Sequence, residues 1–183
     1  MIIEHKEAIS SDFEGTVIDI ETSGNFDKRY QYTNDSREYQ HIQQVIFGFI
    51  NEQGLNIFCA KGTETPNELN QKVEELIALL TRPFYAFNCN FERGVWFHQL
   101  DKRIDLDGEL QRYRGESKRN ARAELNIPNY GDPFNDNGYL CMKAWEAGEF
   151  DNAINHNRAC LLKERDILLK RGFRTTNELK FNK

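Results

Sequence analysis

The spacing of apolar residues changes along the chain from short continuous runs to helical repeats. The short runs predict β-strands at residues 15–22, 45–50, 55–60 and 84–88, with a further short strand at 104–106. The polar segment NEQG separates the second run from the third, and a break of this kind is typical of a hairpin. We expect the first three strands to belong to one sheet.

Helical spacing of apolar residues predicts the remaining elements. A helix begins at Pro66, because proline is favoured at the first helical position. Further helices are predicted at residues 90–101, 117–127, 138–148 and 151–171. In the last of them, Ile154, Leu161 and Leu168 lie seven residues apart in one apolar stripe. This order of elements indicates an α/β domain with a mixed central sheet flanked by helices.

Length and composition are those of one globular domain. The chain has 183 residues, with 13 Phe, 7 Tyr and 2 Trp to build a core. We therefore expect a single domain over residues 1–183, with residues 174–183 forming a short C-terminal tail. The formal net charge of −5 excludes a wholly basic surface for nucleic acid, but leaves a local groove or metal-bridged binding of an anion.

The sequence contains no pattern for export or membrane insertion. Neither a run of 18 apolar residues nor a basic and apolar leader is present, so we expect no membrane association. None of the four cysteines is in CxxC spacing, and no histidine pair completes a zinc pattern. Four reduced thiols in a cytoplasmic protein are the simplest interpretation.

Asp19 and Glu21 are the first candidates for chemistry. They lie two residues apart on a predicted strand, so both side chains leave the same face of it. Adjacent carboxylates repel each other unless positive charge lies between them. Mg²⁺ and Mn²⁺ meet that need, because these hard cations prefer oxygen ligands. The alternative is an edge strand whose polar face is in water.

Three segments of the chain together carry a family resemblance. VIDIETSG, AFNCNFERGVW and AINHNRACLLKERDIL resemble, in this order, the three sequence blocks of the DEDD 3′–5′ exonuclease superfamily. The resemblance covers about residues 14–171. It implies a ribonuclease H-like fold in which four carboxylates hold two divalent metal ions. It also implies a Tyr or His that positions or deprotonates the attacking water.

The second block departs from the family pattern at Glu92, which stands where the family usually has Asp. Both side chains are hard oxygen donors, so the resemblance still implies that Glu92 is a metal ligand. The alternative role of Glu92 is to stabilise the start of its own helix through the helix dipole. Asn88 is implied as a helper that hydrogen-bonds the substrate or orients the turn.

The third block departs further. His156 and Cys160 lie four residues apart on a predicted helix and therefore share a face. The resemblance implies that His156 orients or deprotonates the attacking water, and that Cys160 takes the position of the last Asp. A thiol is a poor ligand for Mg²⁺. Three outcomes stay open: a weakly held second metal, substitution by Glu164 one turn further on, or an inactive site.

Candidate substrate contacts lie in the polar segment 28–41. Lys28, Arg29 and Tyr30 begin a stretch in which basic and aromatic residues alternate, and this composition is typical of a surface that stacks single-stranded nucleic acid. A solvated loop with ordinary tyrosines is the alternative. Segment 102–122 is also rich in Lys and Arg, but acidic neighbours dilute its charge.

Combined with the resemblance, these residues predict a metal-dependent 3′–5′ exonuclease that acts on the single-stranded 3′ end of a nucleic acid. Asp19, Glu21 and Glu92 hold Mg²⁺ or Mn²⁺ in this hypothesis, and His156 acts on water. One alternative is a weakened or inactive relative that binds nucleic acid or a protein partner without cutting. The other is a plain α/β domain with no metal site.

Overall fold

The computed structural model describes residues 1–183, the whole chain. Its six strands form one sheet in the spatial order β1-β4-β3-β2-β5-β6. The strands are β1 (Ile2–Glu7), β2 (Thr16–Gly24), β3 (Ile42–Asn51), β4 (Gly54–Ala60), β5 (Phe84–Ala86) and β6 (Gly108–Glu109). The neighbouring pairs β1–β4, β4–β3 and β3–β2 are antiparallel, and the pairs β2–β5 and β5–β6 are parallel. The predicted mixed sheet is therefore confirmed.

Five α-helices flank this sheet. They are α1 (Pro66–Leu79), α2 (Cys89–Gln99), α3 (Lys118–Glu124), α4 (Gly138–Glu146) and α5 (Phe150–Arg171). Helices α1 and α2 pack on the face that carries Phe47, whose ring contacts Trp96 of α2. Helices α4 and α5 pack on the opposite face, from which Asp19 points toward α5. The predicted α/β class with helices on both sides of a sheet is therefore confirmed.

Strand β2 lies in the interior of the sheet, between β3 and β5. Asp19 and Glu21 are consequently buried, and the alternative of an edge strand with a solvated polar face is wrong. The pairing register of β2 with β3 shifts directly after Glu21. Such an irregularity changes the direction in which the following side chains point, and it lies at the end of the segment that carries both carboxylates.

Two details of the sheet differ from the sequence prediction. Strand β1 was not predicted, because its residues IIEHKE alternate between partly buried and exposed positions at the edge of the sheet and form no apolar run. The predicted strand at 104–106 is wrong, since the strand lies instead at β6. With only two residues, β6 is too short to show any periodicity.

The polar segment after β2 forms two short 3₁₀ turns, Lys28–Tyr30 and Ser36–Tyr39, each preceded by an aspartate that caps it. The C-terminal residues hold this segment in place. The backbone nitrogen of Ser36 donates to the carbonyl of Lys180, and its hydroxyl donates to the carbonyl of Asn182, both at 2.9 Å. The C-terminal tail is therefore packed against the domain. None of the helices combines the length and hydrophobicity that crossing a bilayer requires.

Candidate metal centre

A cavity of about 460 Å³ opens at one end of β2, beside the beginning of α2 and the middle of α5. It brings together seven residues that the sequence singled out, namely Asp19, Glu21, Lys28, Asn88, Glu92, His156 and Cys160. Arg29 and Tyr30 do not line it. Residues separated by up to 141 positions in the chain thus share one cavity, as the order of the three sequence blocks led us to expect.

Asp19 is fixed by two donors. The side-chain nitrogen of Asn157 donates to Oδ2 of Asp19 at 2.7 Å, and the ammonium nitrogen of Lys118 donates to Oδ1 at 2.9 Å. Asn157 reaches Asp19 by passing over Gly48, where an added Cβ would lie 2.1 Å from its Oδ1. The position of the carboxylate therefore depends on a glycine in the neighbouring strand.

Lys118 also contacts Glu164. Its ammonium nitrogen lies 2.6 Å from Oε1 of Glu164, as an ion pair without the alignment of a hydrogen bond. Burial acts to lower the pKa of Lys118, but the neighbouring Asp19, Cys160 and Glu164 outweigh it and raise the pKa well above its usual range. Glu164 thus does approach the carboxylate cluster, one turn beyond Cys160, and Lys118 contacts both Glu164 and Asp19.

Glu92 lies in the first turn of α2 and is almost fully buried. Its Oε2 atom has no hydrogen-bond partner. Burial, together with the negative charge of Asp19, raises the pKa of Glu92 well above its usual range. A buried carboxylate with an unpaired oxygen costs free energy unless it is protonated or meets a cation.

Glu21 is a second buried carboxylate with a raised pKa. Burial raises the pKa of Glu21 to about 7, with Asp19 adding to the shift and His156 opposing it. Glu21 and Glu92 are therefore both carboxylates that burial and repulsion prevent from ionising easily. A divalent cation in the cavity would relieve this repulsion, because it adds positive charge beside the carboxylates.

His156 is held by Asp132. Its Nδ1–H donates to Oδ1 of Asp132 at 2.7 Å, and its Nε2 faces Glu21 Oε1 at 3.6 Å and Cys160 Sγ at 3.7 Å. Burial lowers the pKa of His156, but Cys160, Glu21 and the hydrogen bond to Asp132 raise it to about 11. In the metal-free protein the imidazole therefore keeps its proton at neutral pH, which favours an orienting role over deprotonation of water.

The tightest groups of metal-ligating atoms differ from the predicted set. Ligand atoms of Glu21, His156 and Cys160 lie within 4.8 Å of one another, and so do those of Asp132, Asp136 and Cys160. Asp19, Glu21 and Glu92 do not form such a group. Lys118 and Asn157 hold the carboxylate of Asp19 toward α3 and α5.

Of the three predicted substrate contacts in segment 28–41, one lines the cavity and two do not. Lys28 lines the cavity, whereas the Arg29 guanidinium pairs with Asp27 at 2.6 Å. The guanidinium carbon of Arg37 lies 4.1 Å from the centre of the Tyr30 ring. Arg29 and Tyr30 are therefore engaged in local contacts within the 3₁₀ turns.

Sequence reasoning missed several residues of this site. Phe26 and Tyr139 line the cavity and are 50% and 62% exposed. Lys118, Asn157 and Asp132 hold the acidic and imidazole groups. The basic character of segment 102–122 was noted, but nothing in it distinguishes Lys118 from its neighbours. Asn157 directly follows His156, and its role becomes visible only once the helix is packed on β2.

All four cysteines are buried and free, in agreement with the absence of a disulfide pattern. Comparisons of the chain with protein-family models, with curated protein sequences and with solved structures found no match.

Proposed function

We propose that this protein is a divalent-metal-dependent nuclease of the 3′–5′ exonuclease type, related to the DEDD superfamily. One observation carries the proposal. Three carboxylates from distant blocks of the sequence, Asp19, Glu21 and Glu92, are buried and line one cavity, and Glu92 has an oxygen without a partner. Buried carboxylates are retained where they bind a cation or act on a substrate.

The donor set fits Mg²⁺ or Mn²⁺. Asp19, Glu21 and Glu92 offer hard oxygen ligands, and burial, with the negative charge of Asp19, raises the pKa of Glu21 and of Glu92. A bound divalent cation supplies Lewis-acid polarisation of a scissile phosphate and of the attacking water. Cys160 does not fit a hard cation, so a second ion of the same kind has fewer charged ligands here than in the family pattern.

The other residues have distinct roles in this proposal. His156 keeps its proton and orients a phosphate oxygen or water at the cavity, since Asp132 fixes its ring from the other side. Lys118 supplies positive charge beside Asp19 and neutralises part of the acidic cluster before substrate binds. Asn88 contributes an amide for hydrogen bonding to the substrate.

A nucleic-acid end is the substrate that the walls of the cavity favour. Phe26 and Tyr139 present exposed rings beside the carboxylates, and a base stacks on such rings whatever its sequence. Lys28 adds a positive charge for a phosphate. Asn88 also lines a second cavity of about 300 Å³, where Tyr32, Tyr39 and Arg114 offer aromatic rings and one positive charge to the following nucleotides, beside the negative charge of Glu38.

The topology also supports the proposal. The strand that carries Asp19 is the first of three consecutive antiparallel strands, and on its other side it pairs with parallel strands. This arrangement agrees with the ribonuclease H-like fold that the resemblance implies. The acidic strand lies at the point where pairing changes from antiparallel to parallel.

The test is release of mononucleotides from a single-stranded oligonucleotide labelled at its 5′ end, with Mn²⁺ or Mg²⁺ present. We expect stepwise shortening from the 3′ end that EDTA abolishes. Asp19→Asn and Glu92→Gln should each reduce the rate by at least about 100-fold, as loss of a catalytic electrostatic group does. Glu124→Gln is the matched control, because Glu124 pairs with Arg112 on the exposed surface. No shortening at micromolar protein with Mn²⁺ would contradict the proposal.

A relative that binds nucleic acid without cutting is the second candidate, and two observations favour it. Cys160 provides no charged oxygen, and Lys118 occupies the space beside Asp19 with its own positive charge. Such a protein would retard a single-stranded oligonucleotide in a binding assay and would leave it intact with Mn²⁺. Shortening of the oligonucleotide by the wild type, lost in Asp19→Asn, excludes this candidate.

A further inference from the structure

Glu21, His156 and Cys160 form a cluster that the proposed nuclease chemistry with Mg²⁺ does not explain. The three residues are buried, line the cavity, and bring one oxygen, one nitrogen and one sulfur within 4.8 Å of one another. Oxygen, imidazole and thiolate together form a donor set of intermediate softness, which Zn²⁺ prefers and Mg²⁺ does not.

The spacing of these atoms agrees with one small tetrahedral ion. With bond lengths of about 2.3 Å to sulfur and about 2.0 Å to nitrogen and oxygen, tetrahedral Zn²⁺ separates S from N by about 3.5 Å and N from O by about 3.3 Å. In the structure, Nε2 of His156 lies 3.7 Å from Sγ of Cys160 and 3.6 Å from Oε1 of Glu21. For these two pairs, binding requires only a few tenths of an ångström of adjustment. The third pair, Sγ of Cys160 and the Glu21 oxygen, lies within 4.8 Å and closes onto the ion.

Asp132 prepares the imidazole for metal binding. It accepts the hydrogen bond from Nδ1 of His156, so the remaining nitrogen, Nε2, is directed at Cys160 and Glu21. A carboxylate behind a histidine in this manner fixes the ring orientation and raises the basicity of the ligand nitrogen, as in many zinc sites. Lys163 in turn holds Asp132 at 2.7 Å, so the supporting carboxylate is itself anchored.

The second compact group, Asp132, Asp136 and Cys160, does not have these properties. The ammonium nitrogen of Lys163 already lies 2.7 Å from Asp132 and 2.6 Å from Asp136, and Arg122 lies 3.2 Å from Asp136, so both carboxylates already have cationic partners. A role for Cys160 as a nucleophile with His156 and Asp132 is also disfavoured. Glu21 lies in the same 4.8 Å group and would repel a thiolate, whereas a cation would draw both anions together.

We propose that Glu21, His156 and Cys160 bind one Zn²⁺ ion, with Asp132 positioning His156 and with the fourth coordination position open to the cavity. On binding, the ion displaces the proton on Nε2 of His156 and the proton of the Cys160 thiol, and both pass to solvent. The carboxylate and the thiolate then neutralise the two charges of the ion. Because Glu21 belongs to both donor sets, Zn²⁺ at this site competes with Mg²⁺ or Mn²⁺ at Asp19, Glu21 and Glu92. This competition makes Zn²⁺ an inhibitor, a consequence that rests on the proposed nuclease function, whereas zinc binding itself does not.

Titration of the metal-free protein with Co²⁺ tests the binding site, because cobalt replaces zinc and a cobalt–thiolate bond absorbs in the near ultraviolet. We expect this absorption to saturate at one equivalent and to disappear when Zn²⁺ is added. Cys160→Ser should abolish it, and Cys59→Ala, a buried cysteine outside the cavity, should retain it. No thiolate absorption in the wild type, or the same absorption in Cys160→Ser, would overturn the proposal.

The positioning role of Asp132 has its own readout. Asp132→Asn should weaken Zn²⁺ binding by about 10- to 100-fold while the cobalt–thiolate absorption at saturation is retained, because the three ligands remain. Unchanged affinity in this variant would contradict a role for Asp132 behind His156. Circular dichroism of each variant establishes that it is folded before the titration.

Inhibition is measured separately from binding. If the nuclease is active with Mn²⁺, Zn²⁺ should inhibit it, and the zinc concentration that halves the rate should rise by more than about 10-fold in Cys160→Ser, as expected when a metal ligand is removed. A protein without any nuclease activity refutes the proposed function, and the cobalt titration still decides the zinc site. Equal inhibition of wild type and Cys160→Ser overturns the competition.

Discussion

The ammonium nitrogen of Lys118 lies 2.9 Å from Oδ1 of Asp19. This contact joins the middle of the acidic strand to a helix 99 residues further along the chain. It gives Asp19 a positive partner in the protein without metal, and it extends to Glu164 on α5. The proposed metal centre therefore contains an internal cation, and the balance between Lys118 and a divalent ion governs its chemistry.

Replacing Lys118 by Met tests this balance. Removal of one partner of a buried ion pair costs about 3–5 kcal/mol, because the remaining carboxylates lose their counter-charge. For a chain of this length such a loss lowers Tm by about 6–20 °C. Mn²⁺ should restore more of the Tm of Lys118→Met than it adds to the wild type, since it replaces the missing charge. Equal Mn²⁺ shifts in both proteins, measured by scanning calorimetry, would contradict this balance.

Replacing Cys160 by Asp restores the acidic residue of the family pattern. A carboxylate in place of a thiol supplies a hard, charged ligand, so affinity for Mn²⁺ should rise by at least about 10-fold and cleavage should increase. The same change should abolish the cobalt–thiolate absorption, because residue 160 then has no thiol. Titration calorimetry with Mn²⁺ measures the first effect. A fall in both affinity and cleavage would mean that residue 160 does not occupy the position of the last acidic ligand.

Replacing Gly48 by Ala tests how Asp19 is positioned. The new Cβ would lie 2.1 Å from Oδ1 of Asn157, so Asn157 must move and the hydrogen bond to Asp19 is lost. Overpacking of this kind costs about 1–3 kcal/mol in the free energy of unfolding. Binding of Mn²⁺ should weaken as well, although residue 48 is not a ligand. Unchanged Mn²⁺ affinity in a folded Gly48→Ala protein would show that Asn157 does not position Asp19.

Stability at low pH should depend on Asp35, which does not line the cavity. Hydrogen bonds from Arg37 hold the pKa of Asp35 well below its usual range. A carboxyl group whose pKa is lower in the folded than in the unfolded state stabilises the fold above the unfolded pKa of about 3.9, and this stabilisation is lost as the pH falls further. Asp35→Asn should therefore reduce stability at pH 7 and flatten its decline between about pH 5 and pH 2.

Asp35 also anchors the C-terminal residues, because the side chain of Asn182 donates to its Oδ2 at 2.9 Å. Acidification should therefore release this segment before the whole domain unfolds. Limited proteolysis at decreasing pH, with an acid-active protease, follows the release directly. A pH dependence of unfolding that is the same for wild type and Asp35→Asn would contradict a lowered pKa of Asp35 in the folded protein.

The fold could be predicted from the sequence where local pattern decides the structure. Local pattern is present in the apolar run around Asp19, in the hairpin at NEQG and in the apolar stripe on α5. The corresponding elements are confirmed. Strand β1 could not be found in this way, because an edge strand buries little and shows no apolar run. Two-residue β6 exists only through its pairing with β5.

The candidate site also contains some residues that the sequence could predict and others that it could not. Asp19, Glu21 and Glu92 were found because their blocks occur in a recognisable order, and they line one cavity. Lys118 was not found, because a lysine in a seven-residue helix has no local feature that directs it to a buried carboxylate. Asp132 lies in a loop and contributes only through its contact with His156. Such partners follow from tertiary packing, which short motifs do not encode.

Diffraction from crystals soaked in Mn²⁺, recorded at the manganese absorption edge, tests the central claim most directly. The account predicts an anomalous peak in the cavity within bonding distance of carboxylate oxygens of Asp19, Glu21 and Glu92. It also predicts that Lys118 moves away from Asp19 when the ion binds. A cavity without any manganese peak, with Lys118 still paired to Asp19, would contradict a metal-dependent nuclease.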